Sequence, residues 1–254
     1  MRVMDAVRPG SVECVLGVKR RTPVGPRPRH VGLVMDGNRR WARAARLAPS
    51  VGHRAGARHM GTVLSWCEDE GIDHVTIFVA SALNLRKRDS AEVANLMELL
   101  ETVIAEQIET STWRLHVAGD LSLVPATTRD ALQHAMDHSA GRGRHLTLAV
   151  GYDWQGEVVE SVRSSLAEVR TWDEALEALD ERSIAGHLRG GPSKDIDLVV
   201  RTSGEQRLSG FFPWETTRSE LFFVDHLWPD FSREDFDAAL AHYASKRTPT
   251  SPVE

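Results

Sequence analysis

The chain has 254 residues, a mass of 28.2 kDa and a net charge of −5 at pH 7. A chain of this length forms one large domain or two small ones. Its composition, with 41% hydrophobic and 26% charged residues, is typical of a globular protein. The negative charge argues against a general nucleic-acid binder, and no apolar run reaches the roughly 18 residues of a membrane helix. Two cysteines are too few for a disulfide framework, which fits the reducing cytoplasm where we expect the protein.

Charge and proline content divide the chain into an arm, a body and a tail. Residues 1–29 hold seven Lys or Arg against two acidic residues, together with four prolines, and so predict a basic, poorly ordered N-terminal arm. The charge of the arm leaves open a peripheral contact with anionic lipid. Residues 30–247 form the predicted folded domain, and residues 248–254 predict a frayed tail.

The body alternates short apolar runs with segments of helical period. Six runs rich in Val, Ile, Leu or Phe predict buried strands at 30–35, 74–80, 114–119, 145–152, 196–202 and 221–225. Six segments predict helices at 54–70, 89–110, 125–140, 155–169, 173–188 and 232–245. This alternation predicts a single α/β domain with a mostly parallel sheet and helices on both faces. Ligands bind such sheets at the carboxyl ends of the strands, so the residues after each strand are the candidates.

The first predicted strand ends in the sequence Asp36-Gly-Asn-Arg-Arg-Trp41. A carboxylate at a strand end is suited to hold a hard cation such as Mg²⁺ through oxygen. Gly37 permits a tight turn, and Arg39 and Arg40 offer guanidinium forks that suit phosphate oxygens. A turn in which Asp36 caps a helix and the arginines are solvated would explain the same residues.

Two further strand ends carry polar residues. Arg201, Arg207 and Ser209 follow the fifth run and offer donors for a second anionic group, although a solvated loop with paired surface charges explains them too. Ser81 and Asn84 follow the second run. They are suited to relay a proton or to hold a diphosphate oxygen, and a turn with a helix cap is the alternative.

One acidic residue and one apolar stripe complete the candidates. Glu220 heads the sixth run, where burial is costly unless the carboxylate is paired or bound to metal. It is therefore a candidate second carboxylate for the cation, and an arginine partner or a cap would also explain it. The predicted helix 89–110 has an apolar stripe along 93–103, which would wall a tunnel if the substrate is a hydrophobic chain.

Five blocks of residues occur in order along nearly the whole body. They are His30-Val-x3-Met-Asp-Gly-Asn-x-Arg-Trp41, Gly52-His-Arg-Ala-Gly56, Arg201-Thr-Ser-Gly-Glu-x-Arg-x-Ser209, Trp214-x5-Glu220 and Leu227-Trp-Pro-Asp-Phe231. Together they resemble the cis-prenyltransferase family, that of undecaprenyl diphosphate synthase. The resemblance implies a homodimer of parallel-sheet subunits with a hydrophobic tunnel. It also implies a Mg²⁺-dependent enzyme that elongates an allylic diphosphate with isopentenyl diphosphate, forming a cis double bond.

The resemblance further implies a function for each matched residue. Asp36 would coordinate Mg²⁺ and help to ionise the allylic C–O bond, and Glu220 would reach the metal from the partner subunit's side. Ser81 and Asn84 would lie where the proton leaves after coupling. A departing diphosphate carries growing negative charge, so arginines and a metal are needed to absorb it. The implied residues are Gly37, Asn38, Arg40 and His53 for the allylic diphosphate, and Arg201, Arg207 and Ser209 for the second diphosphate. Arg39 and Trp41 are also expected to bind substrate.

The departures from the family pattern bear on the second substrate. Many members read Ser-x-Glu-Asn-Trp-x-Arg-Pro after the second strand, and here Leu83 and Leu85 replace the glutamate and the tryptophan. We expect both leucines to line the site of the second substrate. The two replacements fit head-to-middle coupling, and they also fit a short-chain head-to-tail synthase using dimethylallyl or geranyl diphosphate. Val79 at the presumed tunnel mouth favours a short product. Head-to-middle coupling of two allylic diphosphates to a lavandulyl-type product is the alternative, and a non-catalytic partner subunit is a second one.

Overall fold

The computed structural model describes residues 25–167, 169–192 and 195–247, and only the backbone of 107–110. The first 24 residues of the predicted arm and the predicted tail at 248–254 therefore lie outside the described residues. The last part of the arm is described, and it packs on the body. Arg27 forms an ion pair with Glu70 at 2.9 Å, and Pro28 is buried. The folded body thus begins before residue 30.

Six strands of the described chain form one parallel sheet. They are β1 (His30–Val34), β2 (His74–Ser81), β3 (Trp113–Ala118), β4 (Arg144–Tyr152), β5 (Leu198–Arg201) and β6 (Glu220–Phe223). Their order is β3-β4-β2-β1-β5-β6, and all neighbouring pairs are parallel. The predicted α/β fold with a parallel sheet is confirmed.

Helices follow the strands as the alternating pattern predicts. Those of the described residues are α1 (Asn38–Ala44), α2 (Pro49–Asp69), α3 (Ala82–Lys87), α4 (Ser90–Thr110), α5 (Ala126–His138), α6 (Trp154–Ser165), α7 (Trp172–Ala178), α8 (Glu181–His187) and α9 (Arg233–Arg247). The prediction of one helix over 173–188 is wrong. The Asp180 side chain accepts the N–H of Ser183 at 2.6 Å, and this N-cap begins a separate helix. No described helix is both long enough and apolar enough to cross a membrane.

The sheet is covered on both faces by unequal apolar layers. Side chains alternate along a strand, so Val31 and Leu33 enter the larger layer, which α2, α4, α5 and α9 complete. Val34 enters the smaller layer together with Phe211 and Phe212. The flat faces of the central strands are therefore filled with apolar groups. Polar side chains are left to gather at the two ends of the strands, the amino end and the carboxyl end of the sheet.

Candidate active site

Asp36 lies just beyond the carboxyl end of β1, and its backbone is fixed by four hydrogen bonds. Its N–H donates to the Val34 carbonyl at 2.9 Å and to the Thr202 hydroxyl at 3.0 Å. Its carbonyl accepts from the Thr202 hydroxyl at 2.7 Å and from the Trp228 N–H at 3.0 Å. Gly37 follows with a φ of 112°, a region that glycine enters without strain. The chain turns here and leaves the carboxylate at a defined place.

Arg201, at the end of β5, is buried with 4% of its surface exposed, and its guanidinium joins three groups. Nη2 donates to Oδ2 of Asp36 at 2.9 Å, and Nη1 donates to the Ser209 hydroxyl at 2.8 Å and to the Arg207 carbonyl. A buried guanidinium requires such partners, and its planar fork engages several at once. Arg201, itself bonded to Ser209, therefore holds Asp36 in place. The predicted contact of Arg201 and Ser209 with a second diphosphate stays a prediction.

The pKa of the Asp36 carboxyl lies below its ordinary value. Burial opposes ionisation, but the hydrogen bond and the charge of Arg201 outweigh it, and Ser203 and Arg40 add to the effect. Nη2 of Arg40 lies 3.5 Å from Oδ1 of Asp36. The side chain is therefore an ionised carboxylate at neutral pH, the form that binds a hard cation.

The loop after β5 brings Arg40 of α1 into the same site. Nη2 of Arg40 donates to the Ser203 hydroxyl at 2.5 Å, and Nη1 donates to the Ser203 carbonyl at 3.3 Å. Ser203 and Gly204 have φ values of 82° and 73°, and their N–H groups donate to the carbonyls of His226 and Val224 at 2.7 and 2.9 Å. A serine in this conformation costs about 1–3 kcal/mol, and such strain is concentrated at functional sites.

An apolar cavity of about 110 Å³ opens beside Asn38 and His53. α1 packs closely on α2, and this packing brings the two residues together. The closeness is shown by Gly56 of α2, where a Cβ atom would lie only 2.2 Å from Oδ1 of Asn38. The walls include Val79 from β2. The remaining walls come largely from α4, through Leu96, Leu99, Leu100 and Val103. The α4 stripe that the sequence offered as a tunnel wall does line this cavity.

A smaller void of about 30 Å³ continues the cavity into the core. The two share Met60, Leu100 and Val103, so they form one path interrupted by side chains. The deeper void is lined by Trp113 and Leu146 at the amino ends of β3 and β4. A large buried aromatic side chain thus forms part of the wall of the smaller void.

Charged residues surround the mouth of the cavity. Nε of Arg88 and Nη1 of Arg39 lie 3.6 and 3.8 Å from the same oxygen of Glu92. Burial, and then the charge of Arg88, lower the pKa of His53, which is therefore neutral at pH 7. A cationic mouth on an apolar cavity suits a molecule with an anionic head and a hydrocarbon chain.

Two predicted substrate-binding residues have protein partners instead. Nε1 of Trp41 donates to Asp230 at 2.8 Å and fixes the turn after β6. The Arg207 side chain is 62% exposed and forms an ion pair with Glu205. Arg207 thus matches the alternative of a surface charge pair, and its predicted contact with a diphosphate stays a prediction.

The residues of α3 behave largely as structural groups in the described chain. The Ser81 hydroxyl accepts the N–H of Asn84 at 3.0 Å, so Ser81 is the N-cap of α3, the alternative that the sequence left open. Leu83 is 57% exposed, whereas Leu85 is buried in the core. Neither leucine lines the cavity described above, so their predicted contact with a second substrate stays a prediction.

Glu220 does not meet Asp36 within one chain. It begins β6 and is level with Leu198 at the amino end of the sheet, whereas Asp36 lies beyond the carboxyl end. At a rise of about 3.3 Å per residue, the two are separated by roughly 16 Å along the strands. Nε of Arg247 lies 3.9 Å from Glu220, which is the arginine partner that the sequence left open. A metal site with both carboxylates would need a second copy of the chain.

The metal-ligating groups fit a cation that arrives with its substrate. Within residues 25–167, 169–192 and 195–247, no cluster of three or more His, Cys, Asp or Glu side chains is able to hold a metal ion. Asp36 supplies one ionised oxygen ligand. Mg²⁺ is commonly bound by one or two carboxylates together with substrate phosphates and water, so this donor set fits a Mg²⁺–diphosphate.

Sequence reasoning missed three residues of the site: Thr202, Arg88 and Glu92. Thr202 stands inside the Arg201–Ser209 block, two residues before a glycine, which is the composition of loops that approach a ligand closely. Arg88 and Glu92 are ordinary helix-terminal charges in the sequence. Their proximity to Arg39 depends on how α3 and α4 pack, so no local pattern indicates it.

The fold and the site define a class of enzymes that act on amphiphilic diphosphates at the carboxyl end of a parallel sheet. The family model described as putative undecaprenyl diphosphate synthase matches residues 34–250. An isoprenyl transferase of Streptomyces fradiae is 43% identical over 240 residues, covering 91% of this chain and 93% of that protein. The (2Z,6E)-farnesyl diphosphate synthase of Mycolicibacterium smegmatis is 38% identical over 227 residues, 86% of each.

A solved structure agrees with these relatives. The lavandulyl diphosphate synthase of Lavandula x intermedia, in complex with dimethylallyl diphosphate, matches with a TM-score of 0.78 and 32% identity over 85% of this chain and 95% of that one. The chain belongs to the undecaprenyl diphosphate synthase family of cis-prenyltransferases, as the five sequence blocks predicted. It is therefore an enzyme that transfers prenyl groups.

Proposed function

We propose that this enzyme condenses dimethylallyl or geranyl diphosphate with isopentenyl diphosphate to a short cis-prenyl diphosphate, with Mg²⁺ as cofactor. The observation that carries the proposal is the junction of two environments. The ionised Asp36 and its arginines stand beside a narrow apolar cavity that begins at Asn38 and His53. One environment suits the diphosphate of an allylic substrate and the other suits its hydrocarbon chain.

The allylic diphosphate would lie between α1 and the loop after β5. Arg40 faces this space with the Ser203 hydroxyl, and Asn38 and neutral His53 stand at the cavity. When the allylic C–O bond breaks, diphosphate leaves with the electron pair and its negative charge grows. Guanidinium groups already fixed by the protein stabilise that charge without reorganising. The isopentenyl double bond attacks the allylic carbon, and loss of a proton forms the new double bond.

Asp36 would hold Mg²⁺ together with diphosphate oxygens, and Glu220 of a second copy would complete the site in a homodimer. The cation would supply Lewis-acid stabilisation of the departing diphosphate. Arg201 keeps the Asp36 carboxylate ionised and pointed at this position through the 2.9 Å hydrogen bond. Ser81 and Asn84, at the start of α3, would lie near the departing proton.

The shape of the cavity supports a short product. Its two parts, about 110 and 30 Å³, are separated by side chains, and Trp113 lines the smaller part. Val79 narrows the outer part. A long prenyl chain would require several buried side chains to move, which a close-packed core resists. The 38% identity to a (2Z,6E)-farnesyl diphosphate synthase points in the same direction.

The test is a reaction of the purified full chain with Mg²⁺ and dimethylallyl or geranyl diphosphate, with and without isopentenyl diphosphate. The dephosphorylated products are identified by mass and NMR. A linear cis product that forms only when isopentenyl diphosphate is present is expected. A C55 product would contradict the short chain length. If neither allylic diphosphate gave a product with isopentenyl diphosphate and Mg²⁺, the proposed condensation would be contradicted.

Head-to-middle coupling of two allylic diphosphates is the second candidate. It is supported by the structural similarity to a lavandulyl diphosphate synthase that binds dimethylallyl diphosphate. The leucines at 83 and 85 also depart from the family pattern at the second substrate. The same experiment separates the candidates, because a branched product from dimethylallyl diphosphate alone would establish this one.

A further inference from the structure

The corner between α1 and α2 exposes apolar side chains on a rigid backbone. All seven residues of 43–49 are exposed, and five of them are Ala, Leu or Pro. Leu47 is 45% exposed, although its N–H donates to the Ala42 carbonyl at 2.8 Å. Arg46 has a φ of 58° and donates its N–H to the Arg43 carbonyl at 3.0 Å. The exposure is therefore built into the turn, and an exposed apolar run of this kind is unfavourable in water unless it serves a function.

The segment that contains this corner carries only basic charges, although Arg54 and Arg58 share a cavity with Glu98 and Glu106 of α4. Residues 38–58 contain six arginines and no Asp or Glu. Arg39 and Arg40 pair with carboxylates in the active site. By contrast, no carboxylate of the described residues lies within ion-pair distance of Arg43 or Arg46. These two cations also do not line the cavity, so binding of the substrate does not account for them.

α3 carries the same combination of exposed apolar and cationic side chains, directly before a residue that lines the cavity. Leu83 is 57% exposed, and Arg86 and Lys87 end the helix. Arg88, the next residue, lines the cavity, as do Asn38 at the start of α1 and His53 in α2. We call residues 43–51 and 82–87 the mouth surface. It contains three exposed large apolar side chains, those of Leu47, Val51 and Leu83, and the exposed cations Arg43, Arg46, Arg86 and Lys87.

We propose that the mouth surface docks the enzyme on an anionic phospholipid bilayer. Leu47 and Val51 would enter the boundary between headgroups and acyl chains, and the arginines would pair with lipid phosphates, as amphipathic interfacial segments do. The absence of acidic residues from 38–58 makes the charge complementary to such a surface. If the proposed function holds, docking places the cavity mouth at the interface, where a prenyl chain enters or leaves without crossing water.

The test is co-sedimentation of the full chain with vesicles, without prenyl diphosphates. Phosphatidylcholine vesicles are compared with vesicles that also contain phosphatidylglycerol, at low and high salt. Binding to the anionic vesicles that weakens with salt is expected. Each surface cation is worth roughly fivefold in partitioning. The triple variant R43Q/R46Q/L47Q should therefore bind about tenfold or more weakly, while its turnover with water-soluble substrates stays at the wild-type value.

Two further variants make the outcome decisive. R129Q/R182Q/L176Q makes the same chemical changes at exposed positions of α5, α8 and α7 and should bind like the wild type. K19Q/R20Q/R21Q removes charge from the N-terminal arm. Loss of binding in the arm variant alone would overturn the proposal, and so would equal binding to neutral vesicles or unchanged binding of the mouth variant. Since no substrate is present, these results are independent of the proposed reaction.

Discussion

The two ends of the sheet both gather polar side chains, yet they differ in kind. At the carboxyl end, Asp36, Arg40 and Arg201 are charged and stand beside a cavity. At the amino end, His30 and His74 pair in register across β1 and β2, and His74 pairs with His145 of β4. The rings of His74 and His145 stack at 4.8 Å. The carboxyl end holds charges beside a cavity, whereas the amino end contains a row of neutral rings and carboxylates that have protein partners.

The contacts of the histidines explain the difference. Nε2 of His30 bonds the Thr76 hydroxyl at 2.8 Å, and His116 bonds His145 at 2.9 Å. Burial, and then the charge of His74, lower the pKa of His30 to about 3. Burial also lowers the pKa values of His74 and His145. The histidines at the amino end form hydrogen bonds with groups of the fold itself, and we assign them a structural function. At the carboxyl end, by contrast, the ionised carboxylate of Asp36 faces open space.

The strongest test of the difference between the two ends of the sheet is to neutralise one aspartate at each end. Asp36→Asn should lower turnover by roughly 10²- to 10³-fold, because it removes the carboxylate that is proposed to hold Mg²⁺ against the departing diphosphate. Asp197→Asn is the matched variant at the amino end, where the carboxylate accepts the N–H groups of Arg29 and His30 at 2.7 and 2.9 Å. It should cost about 1–2 kcal/mol in the free energy of unfolding and leave kcat unchanged.

Steady-state kinetics and urea unfolding of both variants check this pair. Near wild-type turnover of Asp36→Asn would remove Asp36 from the proposed metal site. A loss of kcat in Asp197→Asn equal to that of Asp36→Asn would show that the two ends do not divide structure from function.

Replacing Arg201 by lysine tests how the buried guanidinium positions Asp36. A lysine keeps the charge but is unable to reach Asp36, Ser209 and the Arg207 carbonyl together, as the guanidinium does. We expect about a tenfold loss of kcat and roughly 1–3 kcal/mol of stability. Arg207→Lys changes an exposed side chain and should preserve stability, measured by urea unfolding. Equal stabilities of the two variants would contradict the positioning function of Arg201.

The histidine row predicts a stability that falls in acid. His30 binds a proton near pH 6.5 when unfolded but only near pH 3 when folded, so the unfolded state binds more protons between these values. Stability is therefore full above pH 6.5 and is lost as the pH falls. Between pH 7 and 5, His30 alone should cost about 2 kcal/mol. In urea unfolding, the free energy of unfolding of His30→Gln should depend less on pH than that of the wild type. His134→Gln, at an exposed position of α5, should keep the wild-type pH dependence.

The smallest expected effect is on product length. Val79→Ala removes two methyl groups from the cavity wall, so the product distribution should shift toward a chain one isoprene unit longer. Val75→Ala makes the same change on the same strand, in the core and away from the cavity. Product analysis by mass should show the shift in the first variant only. Identical distributions in both variants would mean that the cavity does not limit the chain.

Local pattern predicted much of the architecture. All six strands lie where short apolar runs stand, because a strand buried on both faces must be apolar at successive positions. The wrong prediction of one helix over 173–188 also has a local cause. The helical period continues through Asp180, but its side chain bonds a backbone N–H and starts a new helix. A capping aspartate inside a periodic segment is easily read as a solvated helix residue.

The sequence by itself determined the family and the residues that stand at the strand ends. Those features are contiguous blocks such as Asp36-Gly-Asn, in which the backbone and the chemistry are encoded together. Tertiary structure alone decided that Arg201 holds Asp36 across 165 residues of sequence. It also decided that Glu220 lies at the opposite end of the sheet and that the histidines of β1, β2 and β4 share one row. Strand order and register bring such residues together or apart, and neither is written in any local stretch of the chain.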